Sequence, residues 1–376
     1  MTQAEHSILP PSSADVWVNC PGSVVMCRQY PERADSPRSL EGTAAHDVML
    51  NMIRGTPLQV GTLAKNGIAV TQEMVESAEL FVDVFPAEAS QPGGVLQAEK
   101  RVACPSIHPE CWGTLDGSTY WRNSLDIGDL KFGHMFVDEY ENMQPVCYAS
   151  GELDALHFDW SGASGDLPVN LTIVQPRCYS GGGSVRTWRT SALALKPYIV
   201  RLNAAAAEAL GPSPRICAGE WCNFCSAIHA CPSAQRAVGT AVGIAYAALP
   251  SPMTPEALGL MLRRVQAAAD MLKAMKGGLE EEAEALIRSG TSVPGFQLQP
   301  GRGKTDWNKS VDEIVALGDM FGIDLRKAGT KTPLQATKIL AEAGIDGSVI
   351  SGYSSQVSGG LQLVQSDVSQ LRRVFS

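Results

Sequence analysis

The chain has 376 residues, 44% of them hydrophobic, and a formal net charge of −9. This length supports one large core and a smaller second domain. No window of about 18 apolar residues occurs, which argues against a membrane-spanning helix. The opening "MTQAEHSILPPSSADVW" lacks the basic and apolar regions of a secretory signal, so a cytoplasmic protein is expected. Its ten cysteines then read as core thiols or metal ligands rather than a disulfide framework. Residues 1–250 carry 25 acids and 16 bases, whereas 251–376 carry 14 of each. An acidic first part argues against a general phosphate-binding surface, unless clustered carboxylates hold divalent cations.

In chain order, "PSSADVWVNCPG" predicts a short helix with Ser12 or Ser13 as N-cap and Pro21–Gly22 as its stop. "SLEGTAAHDVMLNMIRG" predicts a second, ended by Gly55, and "TQEMVESAELFVDVF" has helical apolar spacing. The period then shortens. "GVLQAEKRVA", "WGTLDGSTYW" and "SLDIGDLKFG" predict three strands of one meander. "ENMQPVCYASGELDAL" returns to helix, and "LPVNLTIVQPR" is a further strand. "CYSGGGSVRTW" reads as a flexible Gly-rich loop, and a long helix is expected at 190–210. Residues 232–253, rich in Ala, Gly, Ser and Pro, read as a linker, with the break between domains at 236–253. After it, "TPEALG" through "LIRSG" predicts an amphipathic helix, or two broken at Gly277–Gly278. Two shorter helices are expected near 309–321 and 333–344. The expectation is an α/β domain over 1–235 and a mainly helical region over 254–376.

The chemistry concentrates in the meander. On a strand, residues two apart share a face, so Ile127, Asp129 and Lys131 point the same way. Asp116 lies 13 residues before Asp129, across a turn built from "WRNS". If the strands pair, the two carboxylates converge, which suits Mg2+ or Mn2+. A nearby lysine can orient a water, the layout that metal-assisted phosphodiester hydrolysis needs. By itself a D-x-K pair reads as an ion pair on a solvated strand face; the company it keeps changes that.

Asp116…Asp129-x-Lys131 resembles the signature of the PD-(D/E)xK nucleases, and further elements resemble their RecB-type branch. "GTAAH", Gly42 to His46, looks like that branch's G-T-x-x-H helix, and "QPVCY", Gln144 to Tyr148, looks like its Q-x-x-x-Y helix. The resemblance implies a restriction-endonuclease-like core, a central mixed sheet flanked by helices. It also implies roles. His46, Asp116, Asp129 and the carbonyl of Leu130 would hold the metal, and Lys131 would position the water. Gln144 and Tyr148 would support the site or contact DNA. Glu99 reads first as an exposed strand carboxylate and second as a ligand.

"ICAGEWCNFCSAIHAC" holds Cys217, Cys222, Cys225 and Cys231. Thiolates at this density bind a soft or borderline metal. The spacing C-x2-C-x5-C resembles iron–sulfur nucleases of the AddB type. There a distant upstream cysteine completes the set, and Cys20 stands in that place. A [4Fe–4S] cluster on Cys20, Cys222, Cys225 and Cys231 is thereby implied. The alternative is a local zinc site of Cys217, Cys222, Cys225 and Cys231. Cys27, Cys104, Cys111, Cys147 and Cys178 read as core or incidental thiols, and His229 as no ligand.

"WVNCPGS", "EGTAAH" and "GEWCNFC" are similar to an uncharacterised group of phage and prophage proteins, which would place the chain in a bacterial host's cytoplasm. The function expected is a Mg2+- or Mn2+-dependent DNA exonuclease that processes ends for recombination or replication. A single-strand-binding or annealing protein is its expected partner, and a homo-oligomer its expected state. The alternatives are an endonuclease and a non-catalytic, metal-stapled DNA-binding module. Arg177, Arg186, Arg189 and Arg201 are candidates for gripping DNA.

Overall fold

A computed structural model describes residues 7–30, 37–90, 94–177, 183–246, 253–300, 304–307, 309, 311–327, 329–330, 333, 336, 339–340, 343–350, 352–357 and 361–365. The chain forms two compact units, Met1–Gly278 and Leu279–Ser376.

The first unit opens with a 3-10 turn, Pro11–Ser13, and helices α1 (Ala14–Asn19), α2 (Ser23–Cys27), α3 (Pro37–Ile53), α4 (Gln72–Val82) and α5 (Ala87–Ser90). Thr71 caps α4, accepting the Met74 N–H at 3.2 Å. Three strands follow: β1 (Gln97–Ala103), β2 (Trp112–Trp121) and β3 (Ser124–Leu130). Arg122 and Asn123, with φ of 50° and 60°, close the β2–β3 hairpin. Two positive φ values make a type I′ turn, whose twist matches paired strands.

Helix α6 (Met143–Ala155) carries the chain across the sheet to β4 (Pro168–Val174). The crossover makes β3 and β4 parallel, while the other neighbours are antiparallel. The result is one mixed sheet in the order β1-β2-β3-β4-β5. Strand β5 (Val185–Ser191) occupies what the sequence suggests is a loop. Its "VRTWRTS" pairs along all of β4, so β-branched and aromatic residues win over the preceding glycines. Cys178 lies outside the described residues.

Helices cover both faces. Leu125, Ile127, Val169 and Leu171 pack with α1, α6 and α7 (Ala192–Ala209). Leu130 and Val174 pack with α3 and α4. Gly117 and Gly128 pair across β2 and β3, where a Cβ on either would come within 2.9 to 3.2 Å of the Phe81 and Phe85 rings. Only glycine lets α4 approach the sheet there. This is a mixed α/β fold with a five-stranded sheet flanked by helices.

The stretch expected to be a linker is helical: α8 spans Pro232–Tyr246. Its alanines favour helix, and Pro232 stands at its first position. Helix α9 (Pro255–Arg288) runs unbroken through Gly277–Gly278, although the division into units falls there.

Over 254–376, expected to be mainly helical, α9 and α10 (Val311–Met320) make helix the larger share of the described residues. Strands are present as well: β6 (Phe296–Pro300), β7 (Lys304–Trp307), β8 (Arg326–Lys327), β9 (Gly329–Thr330), β10 (Ser354–Val357) and β11 (Leu361–Gln365). These pair as β6–β11, β7–β10 and β8–β9. Alternation in "FQLQP" and "LQLVQ" carries the β period. Of the helix expected at 333–344, Pro333, Ala336, Ile339 and Leu340 are described and helical; most of the rest lies outside the described residues.

Candidate active site

Strands β1, β2 and β3 bring three carboxylates into one row. Ala98 pairs with Gly117 and Lys100 with Leu115, so Glu99 stands opposite Asp116. Gly117 pairs with Gly128, so the next step along the hairpin sets Asp116 beside Asp129. The row interrupts the pleat. Leu115 packs in the core under α6, yet Gly117, two residues on, meets the Phe81 and Phe85 rings of the opposite core. Glu99 itself has a φ of 47°. A non-glycine residue held there costs about 1–3 kcal/mol and is characteristic of functional sites.

His46, on α3, completes one end of the row. Its Nδ1 lies 3.1 Å from Asp116 Oδ1 and 3.6 Å from Glu99 Oε1. The candidate ligand atoms of His46, Glu99 and Asp116 all lie within 4.8 Å of one another. Octahedral ligands at about 2.1 Å from a cation stand about 3.0 Å apart when adjacent and about 4.2 Å when opposite. The trio could hold a metal ion. Burial disfavours the His46 imidazolium, but Asp116 and Glu99 outweigh it and push its pKa up to about 10. Burial likewise opposes ionisation of Asp116, yet His46, Lys131 and the Leu130 N–H hold its pKa below the usual carboxylate range.

The other end of the row is a closed polar knot. Asp129 Oδ1 accepts from Lys131 Nζ at 3.1 Å and from Gln144 Nε2 at 2.8 Å. Lys131 Nζ also donates to Gln144 Oε1 at 2.9 Å. Asp129 Oδ2 is buried and ion-paired with Nζ at 2.9 Å. Asp129, expected as a metal ligand, stands outside the His46–Glu99–Asp116 group. Burial, helped by Asp116, raises the Asp129 pKa against the pull of Lys131. Burial works against the Lys131 ammonium, but Asp129 and Asp116 outweigh it and raise its pKa.

Helix α6 begins at the site. Asn142 caps it, accepting the Gln144 N–H at 3.1 Å, and this places Gln144 over Asp129. Leu130 meets Asp116 through its N–H, which donates to Oδ2 at 2.7 Å. Tyr148, one turn after Gln144, is buried and donates to the Thr114 carbonyl at 2.7 Å. It braces β2 and is not placed to meet DNA. Gly42 faces open space. Glu99 enters the site where its sequence neighbourhood reads as an exposed strand; the signal for it is its place opposite Asp116.

Two of the four candidate arginines are consumed internally. Arg177 pairs with Glu41 and Glu73, both at 2.8 Å. Arg186 is buried and donates to Gln175, Glu139 and the Val137 and Gly183 carbonyls. Arg189 is exposed, and exposed Arg201 donates to Asn19.

A second cluster is built from cysteines. Cys20, Cys217, Cys222, Cys225 and Cys231 line one cavity. The start of the chain is tied there by its backbone, since the Gly22 N–H donates to the Arg215 carbonyl at 2.9 Å. A Cβ on Gly22 would come within 2.5 Å of Ile216. Cys217, outside the iron–sulfur set, also lines the cavity, and its N–H donates to Cys20 Sγ at 3.3 Å. Cys27 is not incidental, with its sulfur 3.6 Å from that of Cys225. Among the described residues, no three cysteine sulfurs lie within 4.8 Å of one another. A zinc tetrahedron with bonds of about 2.3 Å needs sulfurs about 3.8 Å apart. His229 packs edge-on against Tyr30. A family model described as "Protein of unknown function (DUF2800)" matches residues 6–367.

Proposed function

The chain belongs to this DUF2800 family, and because the family's description assigns no activity, we propose from the geometry that it is a metal-dependent deoxyribonuclease of the PD-(D/E)xK type, acting on DNA ends. The observation that carries this reading is the carboxylate row Glu99–Asp116–Asp129, with His46 at one end and Lys131 at the other. Mg2+ or Mn2+ held by His46, Glu99 and Asp116 would polarise the scissile phosphate. The imidazole in the donor set favours Mn2+ over Mg2+.

The remaining residues orient and stabilise. Lys131, its pKa raised by Asp129 and Asp116 against burial, keeps its proton near neutral pH. It therefore orients the attacking water and offsets charge growing on phosphoryl oxygen, rather than acting as a base. Gln144 bridges Asp129 and Lys131, which fixes the ammonium's position. Three carboxylates in a row repel a phosphodiester, so the cation also makes substrate binding feasible.

The cysteine cavity suits a [4Fe–4S] cluster on Cys20, Cys222, Cys225 and Cys231. Zinc on Cys217, Cys222, Cys225 and Cys231 is the alternative, since all five cysteines line the one cavity. The iron–sulfur cluster's role is to staple the chain's start to the segment after α7.

The test is incubation of the purified protein with linear and circular DNA in Mn2+, Mg2+ or EDTA. Metal-dependent loss of linear DNA alone is expected. Cutting of the circle would make it an endonuclease. No cutting with either metal would refute the assignment.

A further inference from the structure

Helix α9 presents an apolar seam that its own fold does not use. Leu258, Leu262, Val265, Ala269 and Leu272 recur at alternating steps of four and three. The alternation continues along the helix to Leu279 and Leu286, with Lys276 at one seam position. This is a heptad pattern sustained for four repeats. Leu262 is 61% exposed and Val265 51%, while Leu258, Leu272, Leu279 and Leu286 all exceed 40%. The helix docks by another face. Met271, Ala274 and Met275 pack with the cysteine segment, and Gly278 sits against the His229 ring. At 100° per residue, that face lies roughly 130° around the helix from the seam.

Within the first unit the seam forms one wall of an apolar groove of about 390 Å³. The other wall is α8, through Ala237, Val238 and Ala241, whose small side chains let another helix approach closely. The charges along α9 say what that helix is. Residues 255–277 carry Arg263, Arg264, Lys273 and Lys276 against Glu256 and Asp270. Residues 278–288 carry Glu280, Glu281, Glu282 and Glu284 against Arg288. One part is net positive and the other net negative, so α9 complements itself when reversed. Parallel pairing would instead stack Lys276 on its own copy.

We propose that α9 is a dimerisation helix, pairing antiparallel with α9 of a second copy of this chain across a two-fold axis, with α8 flanking the pair. The interaction is independent of the nuclease reading.

Light scattering on the full chain at micromolar concentration tests it. The expected mass is twice the 40.0 kDa of one chain. Val265→Glu with Leu272→Glu should give a monomer whose circular dichroism is unchanged, since both sites are exposed. Lys273→Glu with Lys276→Glu should weaken the dimer by roughly tenfold, by setting like charges across the seam. Adding Glu280→Lys and Glu281→Lys to the same chain should restore it, which parallel pairing would not do. A monomeric wild type, a dimer indifferent to the two glutamates in the seam, or no restoration by the charge swap would each overturn the proposal.

Discussion

Replacing Glu99 with glutamine removes one charge from the candidate metal site and leaves shape and backbone unchanged. Its Oε1 is 3.6 Å from His46 Nδ1. A unit charge pair at that distance interacts by about 4.6 kcal/mol at an effective dielectric of 20. Both side chains keep a quarter to a third of their exposure, so solvent screening cuts this by at least half. Roughly 2 kcal/mol remains, or about thirtyfold in an equilibrium constant. That figure measures the hold of Glu99 on the His46 proton, so the His46 pKa should fall by about 1.5. Imidazole NMR should follow that fall from about 10, because Asp116 alone then opposes burial. Isothermal titration of Mn2+ into metal-free Glu99→Gln protein should show reduced affinity, because one anionic ligand is gone. Mn2+ affinity within threefold of wild type, with an unmoved His46 titration, would refute the place of Glu99 in the site.

Asp129→Ala should abolish cleavage with the fold retained, whereas Lys131→Ala should keep Mn2+ binding and lose rate; cleavage by Asp129→Ala within a few-fold of wild type would remove Asp129 from the chemistry. Metal binding should depend on pH in a defined direction. His46 holds its proton up to about pH 10, above its ordinary 6.5, so an incoming cation must displace that proton. Apparent Mn2+ affinity should rise by about tenfold per pH unit below that value, with a proton released on binding, and a pH-independent affinity between 6 and 8 would contradict the assignment. The stability that this proton gives the metal-free protein is complete below 6.5 and lost as pH rises through about 10. Protein purified without oxygen should be brown, and Cys20→Ser should bleach it while Cys217→Ser should not; the reverse pattern would point to Cys217 as the ligand.

Periodicity placed most of the first unit. Alternation in "SLDIGDLKFG" and helical spacing in "TQEMVESAELFVDVF" are local properties, fixed by which face of an element meets the core. The same locality made Asp116, Asp129, Lys131 and Gln144 legible, since a hairpin and the following helix bring them together within 29 residues. His46 was legible through its motif alone. Glu99 was legible only as a weaker candidate, because a carboxylate on an edge strand has the sequence signature of a solvated one. Only the β1–β2 register sets it opposite Asp116, and only the broken pleat turns it toward His46. Cys27 and Cys225 are likewise 198 residues apart, and nothing local announces their contact. The Ala- and Gly-rich stretch after Pro232 is a linker by composition and a helix in the fold, because packing of Ala234 and Val238 beside the cysteine segment outweighs its glycines. Residue type and spacing determined which groups could do chemistry here; long-range pairing, whose free energy depends on residues distant in the chain, decided which of them meet.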